Sequence, residues 1–319
     1  MIQPAFSTHS FRNYSILEAV DQIAAAGYSG IEIMCDRPHA YPTELSRSTL
    51  RKLQSMLARS GLKVANLNTK IISSMGEWGY PSWIEREMAA REVRILHTIE
   101  CIKLAETLEA ESISIPAGGP LNVKTREEDL DLFMEGLKRI LPHAEDAGVK
   151  ILIDAEPNFL FSTSREICEW IERMNSSLLQ IYFDIDHFSC VGEDPLQAFR
   201  NIGPYVGHIH LEHIGPIDFP AESSSGKTWP SLSKMLLASE EMGYQGYLSL
   251  ALYSSDKKPS ELAALALAQF RAETHLTRPN HPVSPSPSTE RSNGMAVGAA
   301  LIHLPLPRRN NEFGLPQPF

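Results

Sequence analysis

The sequence predicts a single (β/α)8 barrel followed by a proline-rich tail, and three observations carry that reading. Eight short apolar runs alternate with eight amphipathic stretches between residues 2 and 273. That is the pattern of repeated β-α units, at the length of one such barrel, about 250 residues. Glycine marks several helix ends, at Gly27, Gly61, Gly148 and Gly243, where a left-handed cap carries no Cβ penalty. No Gly-x-Gly-x-x-Gly follows the first strand, so the rival doubly wound dinucleotide fold lacks its fingerprint.

In chain order, strand Ile2–Ser7 is followed by a helical stretch over Ser15–Ala26, closed by Gly27. Strand Gly30–Met34 leads to Glu44–Ser60, closed by Gly61, and Lys63–Leu67 leads to the long stretch Ile84–Leu108. Ser112–Pro116 precedes Arg126–Ala147, closed by Gly148, and Lys150–Ala155 precedes Ser164–Met174. Gln180–Asp184 is paired with Pro195–Asn201, Val206–Glu212 with Pro230–Met242, and Gly246–Leu250 with Ser260–Glu273. From His275 the alternation stops, and the tail holds eight of the 22 prolines with repeated Ser-Pro. Such a composition cannot bury a core. Residues 1–273 are therefore read as the barrel and 274–319 as a disordered or loosely draped tail. Its apolar patch Met295–Leu306 suits docking on the barrel or on a second subunit, the alternative being a dispensable tail.

Composition narrows the function. Of 319 residues, 43% are hydrophobic and 21% charged, the balance of a soluble globular protein. A net charge of −10 disfavours a general nucleic-acid surface, which must neutralise phosphates with Lys and Arg. No run is long and apolar enough for a membrane span, and the N-terminus lacks the basic and apolar regions of a secretory signal. Cys35, Cys101, Cys168 and Cys190 form no Cys-x-x-Cys pair and read as thiols of a reducing compartment. These features point to a cytoplasmic protein with a small-molecule partner.

In a barrel of this kind the chemistry lies at the C-terminal ends of the strands, and side-chain parity decides which residues face inward. On strand five Leu152, Asp154 and Glu156 share a face. Strand six ends with Asp184, and His187 follows three residues on. On strand seven His208, His210 and Glu212 point the same way. Two carboxylates and a histidine from three consecutive strand ends make a mixed oxygen and nitrogen site. Such a site suits Mn²⁺, Co²⁺, Mg²⁺, Zn²⁺ or Fe²⁺ better than a structural zinc, which prefers thiolates.

The pieces Gly30-Ile31-Glu32-Ile33, Glu156-Pro157-Asn158, Asp184-x-x-His187, His208-Ile209-His210-Leu211 and Gly243-Tyr-Gln-Gly-Tyr-Leu-Ser249 occur in that order. Over residues 1–273 the chain resembles the sugar phosphate isomerase/epimerase superfamily, with the xylose isomerase-like TIM barrel. That group includes ketose 3-epimerases, inosose dehydratases and isomerases, hydroxypyruvate isomerases and endonuclease IV. The resemblance implies a divalent-metal-dependent isomerase or epimerase acting on a sugar, cyclitol or related hydroxy-ketone. Glu156, Asp184 and His210 would be metal ligands and His187 a substrate contact. The metal would polarise the carbonyl and steady an enediolate while a carboxylate moves the α-proton. Relatives that form dimers or tetramers imply self-association.

In epimerases of this group a Glu ends strand eight as a fourth ligand and second base; here Ala251 stands in its place. Three readings follow. Glu212, two residues past His210, replaces it as ligand or second catalytic carboxylate. Alternatively, Glu156 acts as sole base in an isomerase, dehydratase or lyase. The third is a barrel that binds a sugar-like ligand without turning it over. An endonuclease IV-like enzyme would need further ligands and a basic face. His9, Arg37, His39, Asn68, His208 and Trp78 are added as candidate substrate contacts, Trp78 as part of an aromatic lid with Tyr80 and Trp83. Glu32, inward on strand two, is expected as a buried network partner. The stretch 221–228 has the loose form of a phosphate loop but lacks the strand and helix that such a loop needs.

Overall fold

A computed structural model describes residues 2–72, 79–121, 125–212, 231–254 and 256–276, with side chains through 274. Eight parallel strands close into a barrel in sequence order. They are β1 Gln3–Ser7, β2 Gly30–Met34, β3 Lys63–Asn68, β4 Ser112–Pro116, β5 Lys150–Asp154, β6 Leu179–Asp184, β7 Val206–Leu211 and β8 Tyr247–Leu250. Around them run α1 Ile16–Ala26, α2 Arg47–Ser60, α3 Met88–Thr107, α4 Arg126–Ala147, α5 Ser164–Met174, α6 Ile185–Cys190, α7 Pro195–Ile202, α8 Leu232–Glu241 and α9 Pro259–Leu276. The expected (β/α)8 barrel is thus the fold, and no described helix is long and apolar enough to cross a membrane. Trp78, the segment 221–228, Pro230 at the start of the expected helix Pro230–Met242 and the tail beyond 276 lie outside the described residues.

Two expected helices begin later than their periodicity suggested. The Ser46 hydroxyl accepts from the Thr49 N–H, so α2 starts at Arg47 rather than Glu44. The chain from Ile84 to Glu87 is a turn before α3. The short α6 was not anticipated: the Asp184 carboxylate accepts from the Asp186 N–H, turning the chain into a helix directly at the end of β6. Trp83 is a plug rather than a lid residue, since it is 1% exposed and packs edge-on against Phe133. Tyr80 is 40% exposed.

The outward strand faces carry the apolar layer under the helices, including Phe6, Ile31, Ile33, Ile113, Ile151, Phe183, Ile209 and Leu250. At the bottom of the barrel a Cβ on Gly30 would stand 2.5 Å from the Tyr247 ring, so the approach of β2 to that ring requires glycine. The interior is polar, where a barrel of this class ordinarily stacks branched aliphatics. Ser7, Glu32, Asn66, Ser114, Tyr182, His208 and Ser249 are all buried there.

Away from this interior, His97 on α3 lies against Tyr41 with ring centroids 5.3 Å apart. Burial, followed by the Arg94 charge, lowers its pKa from 6.5 to about 3. Between those values the unfolded chain binds a proton that the fold refuses, so stability falls as pH falls through this window. His97→Leu is expected to flatten the stability profile between about pH 7 and pH 4 by up to about 3 kcal/mol, read from urea unfolding at each pH.

Candidate active site

Glu32 is the hub of the barrel interior. An ionised carboxylate with no exposed surface is costly unless surrounded by donors or cations, and here three donors and two imidazoles surround it. Ser7 Oγ donates to Oε1 at 2.9 Å, Tyr182 OH to Oε2 at 3.0 Å and Asn66 Nδ2 to Oε2 at 3.4 Å. His208 Nε2 lies 3.2 Å from Oε2, and His210 Nδ1 lies 3.2 Å from Oε1. Burial works to raise the Glu32 pKa, but the two imidazoles outweigh it and hold the carboxyl well below its usual range. The expected network role of Glu32 is what the geometry shows. His208 is a correction: it is 1% exposed, within 2.8 Å of Ser249 Oγ and stacked on Tyr182, one layer beneath the mouth.

Above this layer, two compact groups of potential ligands face the strand ends. One is Asp184, His210 and Glu212; the other is Asp154, Glu156 and His187, with the contributing atoms of each group within 4.8 Å of one another. Of the expected trio, Asp184 and His210 fall in the first group and Glu156 in the second, and the two groups adjoin, with His187 Nε2 3.5 Å from Asp184 Oδ2. In the first group the donor set fits a divalent ion, since two carboxylates and an imidazole form the mixed site that such ions accept. His210 has Nδ1 toward Glu32 and Nε2 3.7 Å from Glu212 Oε1, and Nδ1 makes no well-aligned hydrogen bond among the described residues. A carboxylate behind the ring fixes imidazole orientation, as at histidine-ligated metals. Burial raises the Asp184 carboxyl to about 7 against the pull of His187 and His210. Burial acts in the same sense on Glu212, but His210 prevails and lowers it to about 2.

In the second group, His187 Nδ1 meets Asp154 Oδ1 at 3.0 Å, and Nε2 lies 3.5 Å from Asp184 Oδ2. Burial opposes the charge, yet Asp184 and Asp154 raise the imidazole to about 10, so it is cationic at neutral pH. Glu156 is 1% exposed and has Lys70 Nζ 2.9 Å from Oε1. Burial raises its pKa and Lys70 opposes the rise.

Ala251 is buried beside this mouth, and its N–H donates to the Leu211 carbonyl at 3.0 Å. His210 pairs with Ser249 and Leu211 with Leu250, so the register brings Ala251 alongside Glu212. The Glu212 N–H donates to Asp186 Oδ2 at 2.8 Å, tying the end of β7 to α6.

The other expected contacts divide. His9 stands at the mouth: Nδ1 is 3.9 Å from Glu212 Oε1 and hydrogen-bonded to Tyr253 OH, while Nε2 meets Arg12 at 2.8 Å. Burial and then Arg12 lower its pKa to about 3, so it is neutral. Asn68 Nδ2 donates to Tyr182 OH at 3.3 Å, between the Glu32 layer and the mouth. His39 is a correction, because its ring is buried with Nε2 3.1 Å from the Phe11 carbonyl. Arg37 is another: half-exposed, it pairs with Glu44 and lies over the Tyr41 ring. Trp78 lies outside the described residues.

Sequence reasoning missed Lys70, Tyr182, Tyr253 and the tie from Asp154 to His187. Lys70 had a signal, because Asn66, Asn68 and Lys70 alternate along one face of β3 and its extension. Tyr182 also had one, sharing the inward parity of Asp184.

Residues 20–273 match the xylose isomerase-like TIM barrel family. An uncharacterised protein of Methanocaldococcus jannaschii is 26% identical over 248 residues, covering 74% of this chain and 78% of that protein. The inosose dehydratase of Clostridium beijerinckii is 25% identical over 203 residues, 62% of this chain and 63% of that enzyme. Among solved structures, the 3-keto-D-glucoside 4-epimerase of E. coli superposes with a TM-score of 0.68 at 15% identity, covering 85% of this chain and 100% of that one. The IOLI protein with a bound zinc atom superposes with a TM-score of 0.64 at 19% identity, covering 86% and 96%. The structural likenesses carry the fold, and the match over most of the barrel carries the membership: the chain belongs to the xylose isomerase-like TIM barrel family.

Proposed function

We propose that this protein is a divalent-metal-dependent enzyme acting on a sugar, cyclitol or related hydroxy-ketone, with Glu156 as the base that removes the proton next to the carbonyl. The observation that carries it is the pair of compact groups at the strand ends, Asp184–His210–Glu212 and Asp154–Glu156–His187, each able to hold a metal ion; we assign the ion to the first and the proton transfers to the second. A divalent ion bound by the first group supplies a Lewis acid for the carbonyl and its neighbouring hydroxyl. Glu156, buried and next to Lys70, takes the α-proton. His187, kept cationic and fixed by Asp154, hands its Nε2 proton to a departing β-hydroxyl. The substrate loses water; Glu156 carries the extra proton and His187 lacks one until solvent exchange restores both.

Dehydration is preferred to two-base epimerisation because Ala251 can neither bind metal nor accept a proton at the end of β8. The inosose dehydratase relatives support the same choice. The isomerase or epimerase reading has one observation in its favour, the register that sets Glu212 beside Ala251. The two separate in deuterated water with Mn²⁺, Co²⁺ or Zn²⁺ and a panel of inososes and ketoses followed by NMR. Loss of water with formation of an unsaturated ketone is expected. Configurational inversion with deuterium uptake would establish the epimerase instead. Saturable binding of the panel without turnover or α-proton exchange would leave a binding barrel and overturn both.

A further inference from the structure

His9, Arg12 and Tyr253 form a cluster at the mouth, where the chain leaves β1 and β8. Arg12 Nη2 lies 2.8 Å from His9 Nε2, and the guanidinium stands over the Tyr253 ring with Cζ 4.6 Å from its centroid. The Tyr253 hydroxyl meets His9 Nδ1 and is also hydrogen-bonded to Arg12. The donor inventory fixes the direction of each bond. A guanidinium only donates, so His9 Nε2 accepts, and the one proton of the neutral ring sits on Nδ1. Nδ1–H then donates to the phenol oxygen, as Arg12 does. With two donors on that oxygen, the phenol's own proton has no acceptor among the described residues.

Charge points the same way. Lys70 stands against Glu156, Arg37 against Glu44, and His187 against Asp154 and Asp184. Arg12, exposed at the rim, pairs with no carboxylate among the described residues. The ring of Tyr253 and the bond to His9 nonetheless hold its guanidinium in one orientation, as a prepared binding group is held. Ala251 brings no negative charge to the end of β8. We infer that Arg12 and the Tyr253 hydroxyl form a subsite for an anionic group of the substrate, a carboxylate or a phosphate, with His9 orienting both. A guanidinium beside a hydroxyl donor suits an anion that offers more than one oxygen. This rests on the metal-dependent reading above and deepens it by naming the substrate class. His9 stands between the subsite and Glu212, with Nδ1 3.9 Å from Glu212 Oε1, so the anionic group belongs at the end of the hydroxy-ketone away from the metal.

The test is calorimetric titration of the full chain, loaded with Mn²⁺, with D-fructose, D-fructose 6-phosphate and 5-keto-D-gluconate. Wild type, Arg12→Met and Tyr253→Phe are compared by the ratio of anionic to neutral affinity, which a purely structural role would leave unmoved. Wild type is expected to bind at least one anionic ketose about tenfold or more tightly than D-fructose. The phosphate probe as the tighter ligand makes the substrate a sugar phosphate, and the carboxylate probe makes it a sugar acid. Arg12→Met is expected to lower the ratio about 10- to 100-fold, the worth of a hydrogen-bonded charge, and Tyr253→Phe about tenfold. Equal wild-type affinity for the neutral and anionic probes would overturn the inference. So would an anion preference that survives Arg12→Met, since the metal or another cation would then be reading the charge. An unchanged ratio in Tyr253→Phe would overturn the phenol's share. A wild type that binds none of the three probes would overturn the hydroxy-ketone reading itself, an outcome distinct from these.

Discussion

His210→Ala is expected to lower divalent-metal affinity by at least about 100-fold and to abolish turnover, measured by metal content after dialysis and by calorimetry. The floor comes from magnitude: changing the partner behind a ligating histidine already costs 10- to 100-fold, so loss of the ligand costs more. The imidazole is well placed for this role. The Glu32 carboxylate lies 3.2 Å from Nδ1 below the ring, and Nε2 lies 3.7 Å from Glu212 at the mouth. The same geometry predicts a pH dependence. Burial disfavours the charged ring, but Glu32 and Glu212 raise its pKa well above 6.5, so the metal-free ring is doubly protonated at neutral pH. Metal uptake must expel the Nε2 proton, and affinity therefore rises as pH rises toward that pKa. Glu212→Gln and Asp184→Asn should follow His210→Ala in losing metal, whereas Glu156→Gln should not. Retention of wild-type affinity in His210→Ala would exclude the Asp184–His210–Glu212 group as the site.

The barrel was legible because its signals are local and repeated. Apolar runs, helical periodicity and capping glycines such as Gly27 and Gly148 each report on a few neighbouring residues, and eight repeats reinforce one another. The members of the candidate site were legible for a related reason: strand parity fixes which of Asp154, Asp184 and His210 face inward before any tertiary contact is known. What parity does not carry is height along the barrel axis and partner choice. His208 and His210 share a face, yet one is spent on Ser249 and Tyr182 while the other reaches Glu212. Arg37 and His39 lie after β2 at the catalytic end, but nearby groups claim them, Glu44 for one and the Phe11 carbonyl for the other. Lys70 was passed over because a lysine just past a strand end reads as a solvated surface charge. Its meaning depends on Glu156, 86 positions away in the chain and 2.9 Å away in space.

Glu156→Gln is expected to keep stoichiometric metal and to reduce kcat about 10²- to 10⁴-fold, the range a positioned general base contributes, with exchange of the substrate α-proton falling in parallel. Amide and carboxylate have the same shape, so the fold and the ligand group are left in place and the loss belongs to proton transfer. The pH profile of the wild type supplies an independent check. The base works only when ionised, and burial together with the neighbouring Asp154 charge sets its pKa above the 4.5 of an ordinary glutamate, Lys70 opposing the rise. The acidic limb of kcat/KM should therefore lie above that value and move further up in Lys70→Met, where the opposing charge is gone. His187→Gln offers the contrast that separates the two proton transfers. If Glu156 begins the reaction and His187 completes it, His187→Gln still exchanges the α-proton with solvent but loses the elimination, whereas Glu156→Gln loses both. A Glu156→Gln protein that sheds its metal would instead return Glu156 to the ligands. One that retains full α-proton exchange would remove it from the chemistry, leaving Glu212 as the carboxylate to test next.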